Sequence, residues 1–221
     1  MPAVVGIYTE ATDPDCLDEG TAVNLLAGAP RRGFGIIGGS TAKGIGEHYE
    51  GYRTLDWPDR IVESLTKAVG PIEYLNLAQI GVVTNKVIER QLDAMKEFAP
   101  DLSFFSCGGN DLFVETPDYG AIECNLTKIF SFGSATGARL ATMTLADAIS
   151  DPAMMIFRER LERLNNIVRA RAAKYDVILV DLWNHSIGQR PNILSSDKIH
   201  FTMAGNAVLG AEVIKALAAA K

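Results

Sequence analysis

Only three cysteines, Cys16, Cys107 and Cys124, occur among the 221 residues, and no two of them have the CxxC spacing of a metal site. An odd number without that spacing predicts reduced thiols rather than a disulfide framework. The first residues also lack the basic and then apolar segments of a secretory signal. Both absences favour a cytoplasmic protein.

Positive charge is also scarce. The 21 Lys and Arg residues are outnumbered by 27 Asp and Glu residues, which gives a net charge of -6. No cluster of basic residues offers a local field for a polyanion, so the sequence predicts no nucleic-acid partner. No apolar run reaches the roughly 20 residues that a membrane-spanning helix needs, so the sequence predicts no membrane span.

Short apolar runs alternate with longer segments of helical periodicity, which is typical of βαβ units around a parallel sheet. The sequence predicts a three-layer α/β/α sandwich of the flavodoxin-like type, with a five-stranded parallel sheet. The predicted strands are 34–38, 73–78, 102–107, 139–144 and 176–182. The predicted helices are 57–69, 84–98, 121–131, 154–173 and a last one from 203 to about 219, capped by Thr202.

The length of the chain fits one globular domain, which we place at residues 33–221. Residues 1–32 precede the strand predicted at 34–38 and are expected to form an N-terminal extension packed on that domain. They include Val4-Val5-Gly6-Ile7-Tyr8, a possible edge strand, followed by an acidic stretch. Nothing in the sequence assigns a function to this extension.

Three polar or glycine positions follow directly after predicted strands. Ser40 follows the first, Gly81 the second and Asn110 the third. Ligands of open α/β sheets bind beyond the carboxyl ends of the strands, so these residues are expected to share one crevice. Ser40 stands in Gly38-Gly39-Ser40-Thr41, a turn that exposes a nucleophilic hydroxyl. The glycine spacing here does not match a dehydrogenase fingerprint or a phosphate-binding loop.

A carboxylate and an imidazole lie three residues apart near the end of the chain. In Ser195-Ser196-Asp197-Lys198-Ile199-His200, Asp197 can accept the Nδ1 hydrogen of His200, and His200 can then take a proton from a serine. His48 and His185 have no such companion and are interpreted as structural or rim residues. Cys107 is interpreted as a buried apolar side chain rather than a nucleophile.

The order Ser40, Gly81, Asn110, then Asp197 and His200 resembles the SGNH/GDSL hydrolase family of serine esterases and lipases. The resemblance implies a Ser40-His200-Asp197 triad, an acyl-serine intermediate, and an oxyanion hole made by the backbone N–H groups of Ser40 and Gly81 and the side-chain amide of Asn110. It implies a small-molecule ester or thioester substrate and neither a metal nor an organic cofactor. The sequence departs from the family pattern at Gly39, where the family usually has an aspartate.

Two alternatives stay open. The same acyl-enzyme serves a thioesterase or an acyltransferase, and a member of the fold without chemistry would only bind its ligand. Specificity is expected in the loops 112–136 and 184–196, together with the extension. The candidates for an acyl pocket are Phe113, Phe130, Phe132 and Trp183. The sequence indicates neither the acyl length nor the oligomeric state.

Overall fold

A computed structural model describes residues 8–29, 32–149 and 151–220. The strands are β1 (Gly33–Gly38), β2 (Gly46–Glu47), β3 (Glu73–Asn76), β4 (Leu102–Ser106), β5 (Arg139–Met143), β6 (Ile178–Val180) and β7 (Phe201–Thr202). The α-helices are α1 (Glu19–Leu26), α2 (Ser40–Lys43), α3 (Trp57–Val69), α4 (Thr84–Phe98), α5 (Tyr119–Ala135), α6 (Met155–Lys174) and α7 (Met203–Ala219). Three short 3-10 helices span Asn110–Leu112, Pro152–Met154 and Ser186–Gln189.

The central sheet has five parallel strands in the order β3-β1-β4-β5-β6. This confirms the predicted fold class, since the order reverses beside β1 as in flavodoxin-like sheets. A second, two-stranded sheet pairs β2 with β7 in parallel. In this small sheet, β7 directly follows His200, the last predicted catalytic residue. The sequence did not predict it.

Neighbouring residues of the central strands point into two different cores. Ile36 and Phe104 are paired across β1 and β4 and pack with α1, α3 and α7. Ile37 and Phe105 form the next pair and pack with α4, α5 and α6. Because successive side chains of a strand face opposite ways, burial of both faces requires a continuous apolar run. This requirement is why the central strands were readable from the sequence.

Local capping fixes most helix boundaries. The predictions for 57–69, 84–98 and 203–219 match α3, α4 and α7. The helix α5 begins earlier than predicted because Asp118 caps its start by accepting a hydrogen bond from the backbone N–H of Ala121 at 2.9 Å, and it ends at Ala135, four residues later than predicted. The strand β6 is shorter than predicted. Asp176 has a φ of 53°, and the N–H of Val177 still bonds to the end of α6, so the strand begins only at Ile178.

The extension contains a helix that the sequence analysis missed. Asp18 caps α1 through the backbone N–H of Thr21 at 2.9 Å, and α1 packs against α3 and α7. The possible strand at 4–8 lies outside the described residues except for Tyr8, which is not in a strand. Among the described helices, none combines the length and the apolar character needed to cross a bilayer.

Candidate active site

Ser40 is the first residue of α2, directly beyond the carboxyl end of β1. In the turn before it, the backbone N–H and carbonyl of Gly38 are both hydrogen-bonded to one side chain. The buried amide of Gln91 accepts a hydrogen bond from the N–H of Gly38 at 2.8 Å and donates to its carbonyl at 3.2 Å. Gly38 has a φ of 139°, and a Cβ at this position would overlap the carbonyl of Ser106. The backbone there requires glycine, and the turn presents Ser40 in a fixed position.

The sequence analysis did not identify Gln91. The sequence feature that marks Gln91 is a polar residue on the apolar face of a predicted helix, between Val87 and Met95 of α4. A buried amide needs partners for both its oxygen and its nitrogen, and the backbone of Gly38 supplies both.

His200 and Asp197 lie on one tight loop. A carboxylate oxygen of Asp197 accepts hydrogen bonds from the backbone N–H groups of Ile199 and His200, each at 2.9 Å. Its other oxygen lies 2.6 Å from Nδ1 of His200. Lys198, between them, has a φ of 58°, which turns the chain so that these bonds can form. The carboxylate therefore fixes the backbone and the imidazole together.

The charge state of Asp197 follows from these contacts. Partial burial raises the pKa of its carboxyl, but the hydrogen bonds from the backbone and the side chain of His200 and from the backbone of Ile199 outweigh it. The net result is a pKa below the ordinary value, so Asp197 is ionised at neutral pH. An ionised carboxylate stabilises a positive charge on the neighbouring imidazole.

The small sheet anchors this loop to the rest of the protein. The carboxylate of Glu47, at the end of β2, accepts hydrogen bonds from the backbone N–H of Ser196 at 3.0 Å and from its hydroxyl. The hydroxyl of Ser195 accepts a hydrogen bond from the N–H of Glu47 at 3.2 Å and donates to the carbonyl of Phe201 at 2.9 Å. The loop that holds Asp197 and His200 is thus tied to β2 and β7.

The structure brings Ser40, His200 and Asp197 together. Nε2 of His200 lies 2.7 Å from Oγ of Ser40, and Nδ1 of the same ring faces Asp197. The side chain of His200 is 19% exposed and Ser40 is 8% exposed, so the serine is reached through a cleft and not from an open surface. A hydroxyl, an imidazole and a carboxylate in this order can transfer the hydroxyl proton to the imidazole.

Asn110 lines the same cleft as Ser40. Its amide nitrogen donates to the carbonyl of Val82 at 2.9 Å, which leaves the second amide hydrogen free for another acceptor. Asp111 accepts hydrogen bonds from the backbone and the hydroxyl of Thr84 at the start of α4, which holds the Asn110 turn. Gly39 faces this amide, since a Cβ added at Gly39 would lie 3.3 Å from the Asn110 nitrogen.

Gly81 lies further from the cleft lining than Asn110 does. It lies in an exposed turn with a φ of 72°, beside the residue whose carbonyl holds Asn110. Within the described part of the chain it is not among the residues that line the cleft, and its N–H makes no hydrogen bond. The structure therefore places Gly81 next to the Asn110 contact and outside the lining of the cleft.

The cleft has a volume of about 110 Å³ and a mostly apolar wall. Of the four predicted pocket residues, Phe113 lines the cleft, whereas Phe130 and Trp183 are core residues and Phe132 packs against that core. The sequence analysis missed the wall formed by the loop after β5 and the start of α6. The apolar side chains of this wall are Leu145, Ile149, Met154, Phe157 and Leu161.

The other two histidines have structural contacts. Nδ1 of His48 lies 3.0 Å from the hydroxyl of Thr54, and His185 caps a 3-10 helix through the N–H of Ile187. Among residues 8–29, 32–149 and 151–220, no group of three or more His, Cys, Asp or Glu side chains is placed to hold a metal ion.

A sequence profile of the GDSL-like lipase/acylhydrolase family matches residues 36–208. The chain belongs to this family. As a GDSL-like protein it is a hydrolase that acts on ester bonds, as the sequence analysis predicted. No curated protein matches the sequence.

Several solved structures resemble the chain across most of its length. TesA has a TM-score of 0.69 at 18% identity, over 86% of this chain and 99% of TesA. The lipase/acylhydrolase of Enterococcus faecalis has a TM-score of 0.67 at 20% identity, over 85% and 96% of the two chains. Axe2, an acetylxylan esterase of Geobacillus stearothermophilus, has a TM-score of 0.68 at 18% identity, over 86% and 94%. At these identities the similarity shows a shared fold.

Proposed function

We propose that this GDSL-like hydrolase cleaves carboxylic esters through an acyl-serine intermediate, with Ser40 as nucleophile, His200 as general base and acid, and Asp197 as the group that orients His200. The observation that carries the proposal is the unbroken contact series from Ser40 Oγ to His200 Nε2 at 2.7 Å and from His200 Nδ1 to Asp197 at 2.6 Å. The substrate class is a small ester or thioester.

In the first half of the reaction, Oγ of Ser40 bonds to the carbonyl carbon while its proton moves to Nε2 of His200. The carbonyl π electrons move onto the oxygen. When the intermediate collapses, the bond to the leaving alcohol breaks and His200 gives its proton to that oxygen. Asp197 stabilises the imidazolium that exists between these two transfers.

In the second half, His200 takes a proton from water as the water oxygen bonds to the acyl carbon. Collapse of this intermediate returns the proton to Ser40 and releases the acid. An alcohol in place of water would make the same enzyme an acyltransferase, and analysis of the products with an added alcohol distinguishes the two.

The oxyanion requires donors aimed at the developing charge, which is usually a large part of catalysis. We propose the N–H of Ser40, the free amide hydrogen of Asn110 and the N–H of Gly81. The first two groups line the cleft, and the N–H of Ser40 is at the first position of α2, where no intrahelical acceptor exists. Gly81 lies outside the lining of the cleft, so its inclusion rests on the family resemblance and on its position beside Val82, whose carbonyl holds Asn110.

We also propose that residues 33–221 form the catalytic domain and that residues 1–32 pack on it as an extension. The packing of α1 on α3 and α7 and the ion pair between Glu10 and Arg60 support this division. A cytoplasmic location stays a prediction from the sequence.

The test is the initial rate of hydrolysis of p-nitrophenyl acetate, butyrate, octanoate and palmitate by the parent and by Ser40→Ala. We expect turnover by the parent, a loss of at least about 10³-fold in the variant, and a preferred chain length that measures the acyl pocket. Ser134→Ala is the matched control, because Ser134 is exposed on α5. Parent-like rates in Ser40→Ala would contradict the proposal.

A further inference from the structure

The exposed loop 113–116 leads from the first 3-10 helix to α5 and is tied to α6 by one side chain. An exposed loop has little packing of its own to fix its shape. Here Nη1 of Arg160 donates hydrogen bonds to the carbonyls of Leu112 at 2.8 Å and Val114 at 2.7 Å. Nη2 donates to the carbonyl of Glu115 at 2.8 Å. The guanidinium of Arg160 therefore holds the loop by its backbone.

Arg160 uses its donors differently from other arginines of α6. Three of those arginines form ion pairs, which are Arg158 with Asp147, Arg169 with Asp181 and Arg171 with Glu123. The guanidinium of Arg160 instead bonds neutral carbonyls of a single loop. A guanidinium carries five N–H donors in a fixed plane, so it can bridge several carbonyls at once. We therefore interpret Arg160 as a residue that sets the shape of this loop.

The start of the same segment has anchors of its own. The amide of Asn110 donates to the carbonyl of Val82, and Asp111 accepts from the hydroxyl of Thr84. These contacts act before residue 112, whereas Arg160 acts on residues 112–115. Loss of the Arg160 contacts should therefore displace the loop more than the amide that we propose for the oxyanion hole.

The loop carries Phe113, which lines the cleft and is 50% exposed. Its ring packs on that of Phe157 in α6, with 4.4 Å between the ring centroids and 31° between the planes. Phe157 and Arg160 are three residues apart in α6 and so lie on one face of the helix. This face of α6 thus contacts both the backbone of the loop and the ring of Phe113. The two rings form the outer part of the apolar wall of the cleft.

The acyl chain of a bound ester has one direction left to it. The proposed reaction directs the carbonyl oxygen to Asn110 and the leaving oxygen to His200. The acyl chain is the third substituent of the same carbon, and an apolar chain favours the apolar wall. An acetyl group has a single methyl beyond the carbonyl and contacts little of this wall. A longer chain extends outward to Phe113 and Phe157.

We propose that Arg160 is a positioning residue for acyl selectivity. By holding the loop, it keeps Phe113 against Phe157, and the two rings then form the surface on which acyl chains longer than acetyl pack. The inference rests on the proposed function, because it needs the acyl group at Ser40.

The test keeps the leaving group constant and changes the acyl chain. The kcat/KM of the full chain is measured for p-nitrophenyl acetate and p-nitrophenyl octanoate, and the readout is the ratio of octanoate to acetate. General effects of a substitution on Ser40 or His200 cancel in this ratio. We expect the parent to use octanoate at least as well as acetate, because the longer chain gains the apolar contact.

Two variants and their combination locate the contact. Phe113→Ala should lower the octanoate-to-acetate ratio by about 10-fold, and Arg160→Met should lower it by about 5-fold, through loss of apolar contact with the chain. In the Phe113→Ala background, Arg160→Met should change the ratio by less than about 2-fold. Residues that act through one another give effects that do not add, so this double-mutant cycle tests whether Arg160 acts through Phe113.

Arg171→Met is the matched control. Arg171 lies on the same helix and holds α5 through Glu123 and through the hydroxyl of Thr127 at 3.1 Å. The substitution removes the same charge from α6 and should leave the ratio unchanged. A fall of the ratio in Arg171→Met as large as that in Arg160→Met would assign the effect to charge or to helix stability and overturn the inference.

The remaining outcomes separate the inference from the proposed function. A parent that prefers acetate to octanoate by about 10-fold or more contradicts an acyl wall at Phe113. A ratio that Arg160→Met leaves unchanged or raises, or that falls equally with and without Phe113, overturns the role of Arg160 and keeps the hydrolase. No turnover of either ester contradicts the proposed function and the inference with it.

Discussion

Ser40 and His200 are 160 positions apart in the chain, yet Oγ of Ser40 lies 2.7 Å from Nε2 of His200. Each residue is fixed independently. The buried Gln91 amide holds the turn before Ser40, and Asp197 and the small sheet hold the loop that carries His200. Because both sides are anchored, the contact does not require substrate to form.

Replacing Asp197 with Asn should lower kcat by about 10³ to 10⁴-fold, with little change in KM. An amide at this position cannot stabilise the imidazolium and no longer enforces the tautomer that presents a lone pair to Ser40. A measurable rate should remain, because His200 still adopts that tautomer part of the time. Steady-state kinetics on p-nitrophenyl acetate checks this.

The matched control for that variant is Asp176→Asn, because the side chain of Asp176 is 95% exposed and pairs with Arg139 at the surface. We expect its kcat to match the parent. A kcat in Asp197→Asn within about 10-fold of the parent would contradict the role of Asp197.

Asn110→Ala should lower kcat by about 10² to 10³-fold, because one oxyanion donor is lost. Asn125→Ala is the control: the Asn125 amide donates to Thr84 at 3.1 Å in the neighbouring network, but Asn125 does not line the cleft. We expect only a small change there. Similar losses in both variants, each with a lowered melting temperature, would mean that Asn110 acts through stability.

Alkylation should distinguish the three cysteines. Burial, with a contribution from Asp111, raises the pKa of Cys107 to about 12, and burial raises that of Cys16 to about 12 as well. Cys124 is exposed. Since the thiolate is the reactive form, iodoacetamide at pH 8 should modify Cys124 alone and leave hydrolysis intact.

Peptide mass spectrometry reads out this experiment, and Cys124→Ser should take up no label. Modification of Cys107 in step with a loss of activity would show that its thiol ionises in the cleft at this pH, contrary to its raised pKa.

Asp13→Asn should destabilise the protein by about 3 kcal/mol at pH 7, because it leaves the buried guanidinium of Arg190 with a weaker set of partners. Adding Arg190→Met should recover part of this loss. Urea unfolding measures both. Equal stability of the parent and Asp13→Asn would show that the extension does not hold the loop of Arg190.

The loss of stability in Asp13→Asn should depend on pH. Burial raises the pKa of Asp13, but hydrogen bonds from Arg190 and Tyr52 outweigh it and bring the pKa below its ordinary value of 3.8. A lowered pKa in the folded state gives stability that is present above 3.8 and is lost as the pH falls below it. The difference between the parent and Asp13→Asn should therefore shrink below that pH. A difference that grows on acidification would contradict this reasoning.

The sequence predicted the features that depend on local chemistry. The central strands β1, β4 and β5 were visible because both of their faces are buried, and the spacing of Asp197 and His200 was visible because their contact spans only three residues. The turn at Ser40 was readable from its glycines. Family resemblance supplied Gly81 and Asn110, of which the structure places only Asn110 in the cleft.

The sequence did not predict the contacts that depend on tertiary packing. Gln91 reaches Gly38 across 53 positions, Glu47 reaches Ser196 across 149, and Arg190 reaches Asp13 across 177. Nothing in local composition specifies such partners. The wall between Leu145 and Leu161 was missed for the same reason, since apolar side chains in a cleft and in a core look alike in sequence.

The most direct test of the central claim is fluorophosphonate labelling of the full chain, followed by peptide mass spectrometry to locate the adduct. We predict a single adduct on Ser40 that is absent from Ser40→Ala and strongly slowed in His200→Ala, because only a hydroxyl with a proton acceptor attacks phosphorus at a useful rate. An adduct on another residue, or no adduct on a protein that still hydrolyses esters, would contradict the account.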